Sequence, residues 1–444
     1  MINIDNLKLY GLTFSLFLIS LDAYTIFNVP FQWIGLSTIV FLFVLNFKKI
    51  YSQINTVFFV IIFIIFTPIL FEIFNSYEIL FERDYQLRVF NFVSFFITVY
   101  VSQTFLPSIS QEKFMNLLEK LLLIISVFSI YIFISQIFDL FEPFRNRSNT
   151  NLMSNTSQTT FWPYEPHRIM GTFREPLLYA SYIFPISLIL FLCKKNINIL
   201  STFIIALALG LTRSDLIRIY AITGIILFIV LLLYKKTNNN KIVFFLFAVL
   251  LFSFISIQEC KVNPESNDCL GLNIEESNDF LSFEDLESIT NLDSDRKNSL
   301  NFLLKSDLNY FGQGFNTIVI EYQQYLTNEI NQEMYLTNRV LPKYLNISYQ
   351  SQNFGTGNYS ANFYKPNTQS MLINVIISSG IILILILFAV PLFVLFVKKD
   401  FGVLLTVLYL LLFFFIIPIE ELNAFTGLIF GYGFKILEKG YSFD

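Results

Sequence analysis

The chain has 444 residues, of which 55% are hydrophobic and only 14% are charged, and its formal net charge is −4. Soluble domains are about 45–50% apolar and about 25% charged. This composition therefore excludes an ordinary soluble domain, and the acidic balance gives no reason to expect a nucleic-acid partner. We expect an integral membrane protein.

Apolar segments long enough to cross a bilayer recur along the chain. A transmembrane helix needs roughly 20 mostly apolar residues, and the run from Asn55 to Phe74 meets this requirement. We predict an all-α integral membrane protein with about twelve transmembrane helices. The predicted spans are 9–27, 29–46, 55–74, 89–106, 116–138, 176–193, 197–211, 217–234, 241–257, 371–397, 401–418 and 422–437. A signal peptide is the alternative for the first span, but Asp22 interrupts it and no A-x-A cleavage site follows.

Lysine pairs predict the orientation of these spans. Short loops rich in lysine stay cytoplasmic, and placing every pair inside puts both termini in the cytoplasm. The pairs are Lys48-Lys49, Lys194-Lys195, Lys235-Lys236 and Lys398-Lys399. We therefore divide the chain into a bundle over 1–257 with an outer loop near 139–175, a large outer loop over 258–370, and C-terminal helices over 371–444.

In this topology every arginine of the chain faces outward, whereas most lysines face inward. The arginines are Arg83, Arg88, Arg145, Arg147, Arg168, Arg174, Arg213, Arg218, Arg296 and Arg339. The planar guanidinium binds phosphate and carboxylate through two hydrogen bonds at once, whereas lysine is a point charge. We infer an outer face that binds a polyanion, such as a diphosphate. The alternative is that these arginines pair with the many outer aspartates and glutamates.

Cysteine and histidine positions fit the same orientation. Cys260 and Cys269 both fall in the large outer loop, where an oxidising compartment favours a disulfide between them. The chain contains one histidine, His167. It is a candidate for substrate binding, although a lone histidine is more often a hydrogen-bonded loop residue than a catalytic base.

Two short outer segments place charge at helix ends. The sequence HRIMGTFREP precedes a span, with Gly171 suited to a tight turn and Pro176 to the first helical turn. Arg168, Arg174 and Glu175 would then lie near a positive helix N-terminus. The turn LTRSDLIR carries Arg213 and Arg218, which either bind substrate or form a locally paired anchor with the aspartate between them.

The large loop contains one predicted amphipathic helix, which begins near Arg296. Its leucines at helical spacing are Leu300, Leu303, Leu304 and Leu308. Such a helix either lies on the membrane surface or packs on the bundle. The turn from Gly312 to Gly314 that follows is a weak phosphate-binding signal and more typical of a helix stop.

Motifs of soluble nucleotide enzymes and zinc sites are missing from the sequence, so we expect neither a cofactor nor a metal. Charge inside the predicted spans is sparse, with Asp22 the clear case, and no internal repeat is visible. Coupled transporters usually keep several such charges and often show repeats. These observations favour chemistry at the outer surface over transport.

At these residues the chain resembles the O-antigen polymerase and ligase superfamily. The first signature is Arg168-x-x-Gly171-Thr172-Phe173-x-Glu175-Pro176, and the second is Leu211-Thr212-x-Ser214. The large-loop motif resembles Arg296 followed by Gly312-x-Gly314-Phe315, and the re-entry segment resembles Leu372 to Gly380-Ile381. In two places the chain departs from the pattern: Asp215 stands where the family has arginine, and Gln369-Ser370 stand where it has His-Asn.

The resemblance implies a glycosyltransferase of GT-C-like architecture in the bacterial inner membrane, with the large loop in the periplasm. It would polymerise oligosaccharide repeat units carried on undecaprenyl diphosphate, in contact with membrane lipids. A chain-length regulator is a further candidate partner. Of the residues singled out above, Arg168, Arg296 and Glu175 are the expected catalytic residues, with Glu175 as base. Arg174, Arg213, Arg218, His167 and Arg339 are the expected substrate-binding residues.

Three alternatives remain open. A ligase would transfer finished polymer to a lipid A core and would share this architecture. A polysaccharide flippase or exporter would carry charges in mid-membrane. A scaffold or receptor would use the large loop for partners, so that changes scattered over the loop would matter more than changes of arginine.

Overall fold

The computed structural model describes eighteen stretches of the chain. They are residues 4–21, 24–26, 29–45, 66–70, 72–74, 83–105, 111–137, 168–173, 176–194, 196–233, 240–254, 294–306, 310–314, 321–322, 325, 370–385, 409 and 427. The following statements concern these residues. The predicted site residues Glu175, Arg174, His167 and Arg339 lie outside them, as do Cys260 and Cys269.

The described structure is mostly helical and includes one short hairpin. The helices are α1 (Ile4–Ile19), α2 (Phe31–Leu45), α3 (Arg83–Phe105), α4 (Gln111–Ile137), α5 (Pro176–Cys193), α6 (Ile199–Gly210), α7 (Asp215–Leu233), α8 (Asn240–Ser253), α9 (Ser294–Lys305) and α10 (Met371–Ile384). Two strands of two residues each, β1 (Thr25–Ile26) and β2 (Val29–Pro30), pair antiparallel between α1 and α2. The prediction of an all-α protein is confirmed.

Most predicted spans coincide with a helix, and two differ from it. The predicted span 9–27 was too long, because α1 ends at Ile19 and residues 25–26 belong to the hairpin. The span 371–397 was predicted as a continuous helix, but α10 is broken at Gly380, which has φ 85° and ψ 167°. Of the spans 401–418 and 422–437, the structure describes only residues 409 and 427, both helical.

One described segment, Glu112–Ser135 within α4, is long and apolar enough to cross a membrane by length and composition. Shorter apolar helices of 10–17 residues accompany it in the described part of the chain. The number of about twelve spans stays a prediction.

The helices pack around a large apolar core with two smaller clusters, and they also expose apolar side chains on the outside. α2 lies against α1 and α3, and α8 lies against α6 and α7. On α8, Phe245 and Val249 are completely buried, and the Phe245 ring stacks on Phe191 with centroids 4.2 Å apart. The opposite side of α8 exposes more than half of Phe244 and Phe247. A helix that is apolar all round is typical of a large protein core or a membrane span.

Hydroxyl side chains inside this core bond to their own helices. Ser15 donates to the Gly11 carbonyl at 2.8 Å, Ser129 to that of Ile125 at 2.7 Å, and Ser187 to that of Ile183 at 2.7 Å. Such bonds to the preceding turn satisfy a polar group without a partner from another element. Small polar side chains can therefore lie between apolar helices without an uncompensated loss of hydration.

The helix ends meet at two opposite ends of the bundle. At the first, which we call the arginine end, the start of α5 lies beside the end of α6, where Ile169 N donates to Leu211 O at 2.9 Å. At the second, which we call the lysine end, Lys194 after α5 contacts Glu119 of α4 and Asn198 begins α6. Successive helices α5 to α8 thus run alternately between these ends, as the predicted topology requires.

Candidate functional site

The segment Arg168–Phe173 closes the arginine end as a tightly packed turn. Ile169, Met170 and Phe173 are at most 5% exposed. Phe173 N donates to Met170 O at 3.1 Å and so closes the turn. The Phe173 ring also lies 4.9 Å from that of Tyr182, measured between centroids. The apolar residues of HRIMGTFREP therefore anchor the segment and fix the position of Arg168.

Gly171 and Thr172 explain why this turn packs so closely. Gly171 has φ 55°, a left-handed conformation that favours glycine. A Cβ at this position would overlap the hydroxyl of Ser129 on α4. The Thr172 hydroxyl, which is buried, donates a short hydrogen bond to the carbonyl of Ser20 at the end of α1. The segment is thus joined to α4 and α1 as well as to α6.

The turn between α6 and α7 presents an arginine on strained backbone. Arg213 has φ 48°, the one positive φ of a non-glycine residue in the described part of the chain. Its N–H donates to Gly210 O at 2.9 Å, and the Thr212 side chain donates to Leu209 O at 2.6 Å. A left-handed conformation costs a non-glycine residue about 1 kcal/mol or more, and such strain often occurs at functional sites.

Arg168 and the strained turn are in direct contact. The Nε of Arg168 donates to the carbonyl oxygen of Thr212 at 2.8 Å, across 44 positions of sequence. That carbonyl belongs to the peptide bond that leads into Arg213. The side chain of Arg168 is therefore fixed against the backbone of the second arginine segment, and both residues are half-buried. The structure brings these two predicted site residues together.

Arg218 stands one turn into α7 and links α7 to α8. Its Nη2 donates to Ser253 O at 2.7 Å, and its Cζ lies 5.2 Å from the centroid of the Phe254 ring. A cation at this distance from an aromatic face is attracted to it. These contacts join α7 to α8. They test neither pairing with the aspartate of the turn nor substrate binding by Arg218, and both stay predictions.

The Gly312–Gly314 region forms a second close junction, with α10. Gln313 N donates to Ile377 O and Gly314 N to Ser378 O, each at 2.9 Å. Gly312 and Gly314 have φ of 82° and 102°, and a Cβ on Gly312 would overlap the Ser378 carbonyl. Gly312 therefore permits a close approach of two backbones, which the sequence signal of a helix stop did not predict.

Arg296 lies in the first turn of α9, and α9 packs on α10. The contact is formed by Phe302 of α9 with Ile373 and Ile377 of α10. Of its predicted leucine face, Leu303 packs against this contact, whereas Leu300 and Leu304 are 43% and 76% exposed. Phe302 and the buried Ser299 lie on the packed side. Packing of α9 on α10 is therefore seen, and a place for its exposed leucines on the membrane surface stays a prediction.

Glu72 is a buried carboxylate that the sequence reasoning missed. It is 3% exposed, and a Cβ on Gly314 would overlap its Cγ, Cδ and Oε1. Asp22, predicted as the clear charge inside a span, lies outside the described residues, whereas Glu72 and Glu119 are buried in helical segments. The signal was present, because a glutamate inside the apolar run 55–74 is rare and often functional.

Within the described ranges, no group of three or more His, Cys, Asp or Glu side chains is arranged to hold a metal ion. Of the residues described above, Arg168 meets the turn of Arg213 at the arginine end, and Glu72 packs on Gly314 beside α10. No family model, no curated protein and no solved structure matches the chain.

Proposed function

We propose that the chain is a multi-pass glycosyltransferase of the bacterial inner membrane that polymerises oligosaccharide repeat units carried on undecaprenyl diphosphate. The product would be an O-antigen-type polysaccharide formed at the periplasmic face. The observation that carries this proposal is the hydrogen bond from Arg168 Nε to Thr212 O, which joins two separate sequence signatures beside Arg213.

This arrangement suits the chemistry of the transfer. The acceptor hydroxyl attacks the anomeric carbon of the donor, a C–O bond to the acceptor forms, and the bond to the lipid diphosphate breaks. A diphosphate is already a good leaving group, so the protein has to position the substrates and stabilise the departing negative charge. A guanidinium has five N–H donors, so an arginine oriented through Nε can bind phosphate oxygens with its terminal nitrogens.

The residue roles follow from this chemistry. Arg168, Arg174, Arg213 and Arg296 would bind the diphosphate or the sugar beside it. Glu175 would accept the proton of the acceptor hydroxyl, and since it precedes Pro176 at the start of α5 it is only a few residues from Arg168 in the chain. The exposed apolar sides of α8 and of its neighbours support a lipid environment.

One observation favours a second candidate, a polysaccharide flippase or exporter. Many transporters carry a buried ionisable side chain beside a broken helix, and Glu72 lies at the junction with the broken α10. A ligase, which differs from a polymerase in its acceptor, shares all the features described for the arginine end.

Gel analysis of surface polysaccharide from cells with and without the gene separates these functions. Loss of the long ladder with single repeats still attached to the lipid A core supports a polymerase. Long lipid-linked polymer without repeats on the core would make the protein a ligase. Complete loss of periplasmic repeats, with unpolymerised units retained in the cytoplasm, would make it a flippase.

Substitution of arginine then tests the site. We expect Arg168→Ala and Arg296→Ala to lose the ladder while the protein remains in the membrane in normal amounts. Lys241→Ala, which removes an exposed cation at the start of α8, is the matched control and should keep the ladder. A normal ladder in both arginine variants would refute the diphosphate-binding role.

A further inference from the structure

The turn Tyr310–Gly314 fits into the break of α10. At the break, Ile382 N donates to Tyr310 O at 3.2 Å, and the backbone on the other side accepts hydrogen bonds from Gln313 N and Gly314 N. A Cβ on Gly380 would overlap the Tyr310 carbonyl. The interrupted helix therefore exchanges its own backbone hydrogen bonds for bonds to a segment of the large loop.

Glu72 is the third component of this junction, beside the Tyr310–Gly314 turn and α10. Its side chain packs directly on the backbone of Gly314 and is almost completely buried. A glycine with φ 102° has no side chain to fill this space, so the carboxylate-bearing side chain occupies it. One packed contact thus joins the helical segment that carries Glu72, the Tyr310–Gly314 turn and α10. The buried Ser378 and Ser379 lie beside it.

The position of α9 depends on the same junction. α9 ends at Lys305, only a few residues before the turn, and its Phe302 packs on Ile373 and Ile377 of α10. These two α10 residues lie directly before the break at Gly380. A shift of the turn would therefore move the helix that carries Arg296.

We propose that Glu72 is a positioning residue, whose buried side chain holds the Tyr310–Gly314 turn in the break of α10 and thereby places α9 with Arg296. The role in the reaction rests on the proposed transferase function, whereas the role in holding the turn does not. The contact with Gly314 involves Cγ, Cδ and Oε1, all of which have counterparts in glutamine.

A labelling experiment tests the position of the turn without any measurement of activity. Ser379, which is 1% exposed, lies under the turn, and Ser379→Cys introduces a thiol of similar size there after Cys193, Cys260 and Cys269 are replaced by serine. In detergent-solubilised protein we expect N-ethylmaleimide to label this thiol about tenfold faster when Glu72→Ala is added, because local opening exposes it. Glu72→Gln should leave labelling slow.

The matched control is Glu119→Gln, a change at the second buried carboxylate, which lies at the lysine end. It should not alter labelling at position 379. Equal labelling rates in the Glu72→Ala and parent proteins would overturn the proposal. If Glu72→Ala does not fold, Glu72→Asp, which retracts the carboxylate by one methylene, replaces it and should raise the rate by a smaller factor.

Activity supplies the second readout. Glu72→Ala should lower polymer formation about tenfold, and Glu72→Gln should restore it, as expected for a side chain that positions others by packing. Loss of polymer in Glu72→Gln to the level of Glu72→Ala would overturn the proposal and point to a role for the negative charge, such as proton transfer or ion coupling. If deletion of the gene leaves the polysaccharide unchanged, the proposed function fails, and labelling still decides the structural part.

Discussion

The two ends of the bundle hold their cations in different ways. At the lysine end, the Lys194 ammonium forms a short ion pair with Glu119, whose other oxygen accepts a hydrogen bond from Asn198 N at 3.0 Å. At the arginine end, Arg168 and Arg218 donate to the backbone carbonyls of Thr212 and Ser253. The contacts described for these cations are thus a carboxylate at the first end and backbone carbonyls at the second.

The contacts at the two ends indicate which end is suited to a ligand. The pair of Glu119 and Lys194 also orders the start of α6, where the Asn198 side chain caps Leu200 N at 3.0 Å. All of these contacts serve the fold. The arginine end instead fixes guanidinium groups beside strained backbone, an arrangement that costs free energy and is typical of functional sites.

The largest expected effect concerns Arg168. Arg168→Ala should lower polymer formation on the order of 100-fold, because one charge-stabilising contact in the transition state is lost. Arg168→Lys should not restore activity, since lysine has no counterpart of the Nε donor that binds Thr212 O. Incorporation of labelled repeat units by membranes measures both variants. Full activity in Arg168→Lys would show that only charge matters at this end.

The turn that carries Arg168 should tolerate no side chain at Gly171. Gly171→Ala forces a left-handed alanine into the space of the Ser129 hydroxyl. We expect a loss of about 2–4 kcal/mol in stability, from strained backbone and overpacking together, and a lower thermal midpoint in detergent. Gly11→Ala is the control, because its Cβ would lie 3.2 Å from the flexible end of Leu42. Equal midpoints for the two variants would contradict the packing described here.

At the lysine end a substitution should affect stability and leave activity intact. Glu119→Ala removes the partner of Lys194 and the acceptor for Asn198 N. We expect a loss of about 2 kcal/mol, because a cation remains without compensation in a partly buried position. The thermal midpoint checks this, and the double variant with Lys194→Ala should recover part of the loss. A strong fall in the specific activity of the folded protein would contradict the distinction between the two ends.

The smallest effect on stability is expected at Arg213. Its substitution is also the most direct test of the comparison between the arginine end and the lysine end. Arg213→Gly removes the strain of φ 48°, so it should leave stability equal or raise it by about 1 kcal/mol. Activity should fall, because a cation of the proposed site is lost. The thermal midpoint and polymer formation are measured on the same preparation. Retained activity with higher stability would show that the strain serves no ligand.

Local sequence signals predicted much of the helical structure. Apolar runs located α5, α6 and α7 to within two residues at each end, because turn residues and Pro176 limit them sharply. The hairpin after α1 was missed, since its residues are as apolar as those of a helix. The break of α10 was also missed, because a single glycine within an apolar run does not by itself stop a helix.

At the arginine end too, the sequence predicted the local structure but not the contact between distant residues. Gly171 and Pro176 were identified from sequence with their correct local roles, because φ preferences act within a few residues. The contact of Arg168 with Thr212 spans 44 positions, and no local pattern encodes the packing of α5 against α6 that produces it. The contact of α9 with α10 was left open by the sequence for a similar reason, since α10 comes much later in the chain.

Sequence alone was enough to predict that this protein is helical and apolar, where most helices lie, and that Gly171 lies in a tight turn. These properties depend on side-chain chemistry and on neighbours within about one helical turn. Tertiary structure was needed to show that Glu72 packs on Gly314, that the loop turn fills the break of α10, and that Arg168 is anchored beside Arg213. Such contacts depend on which distant helix ends meet, and that is settled by close packing of the whole bundle.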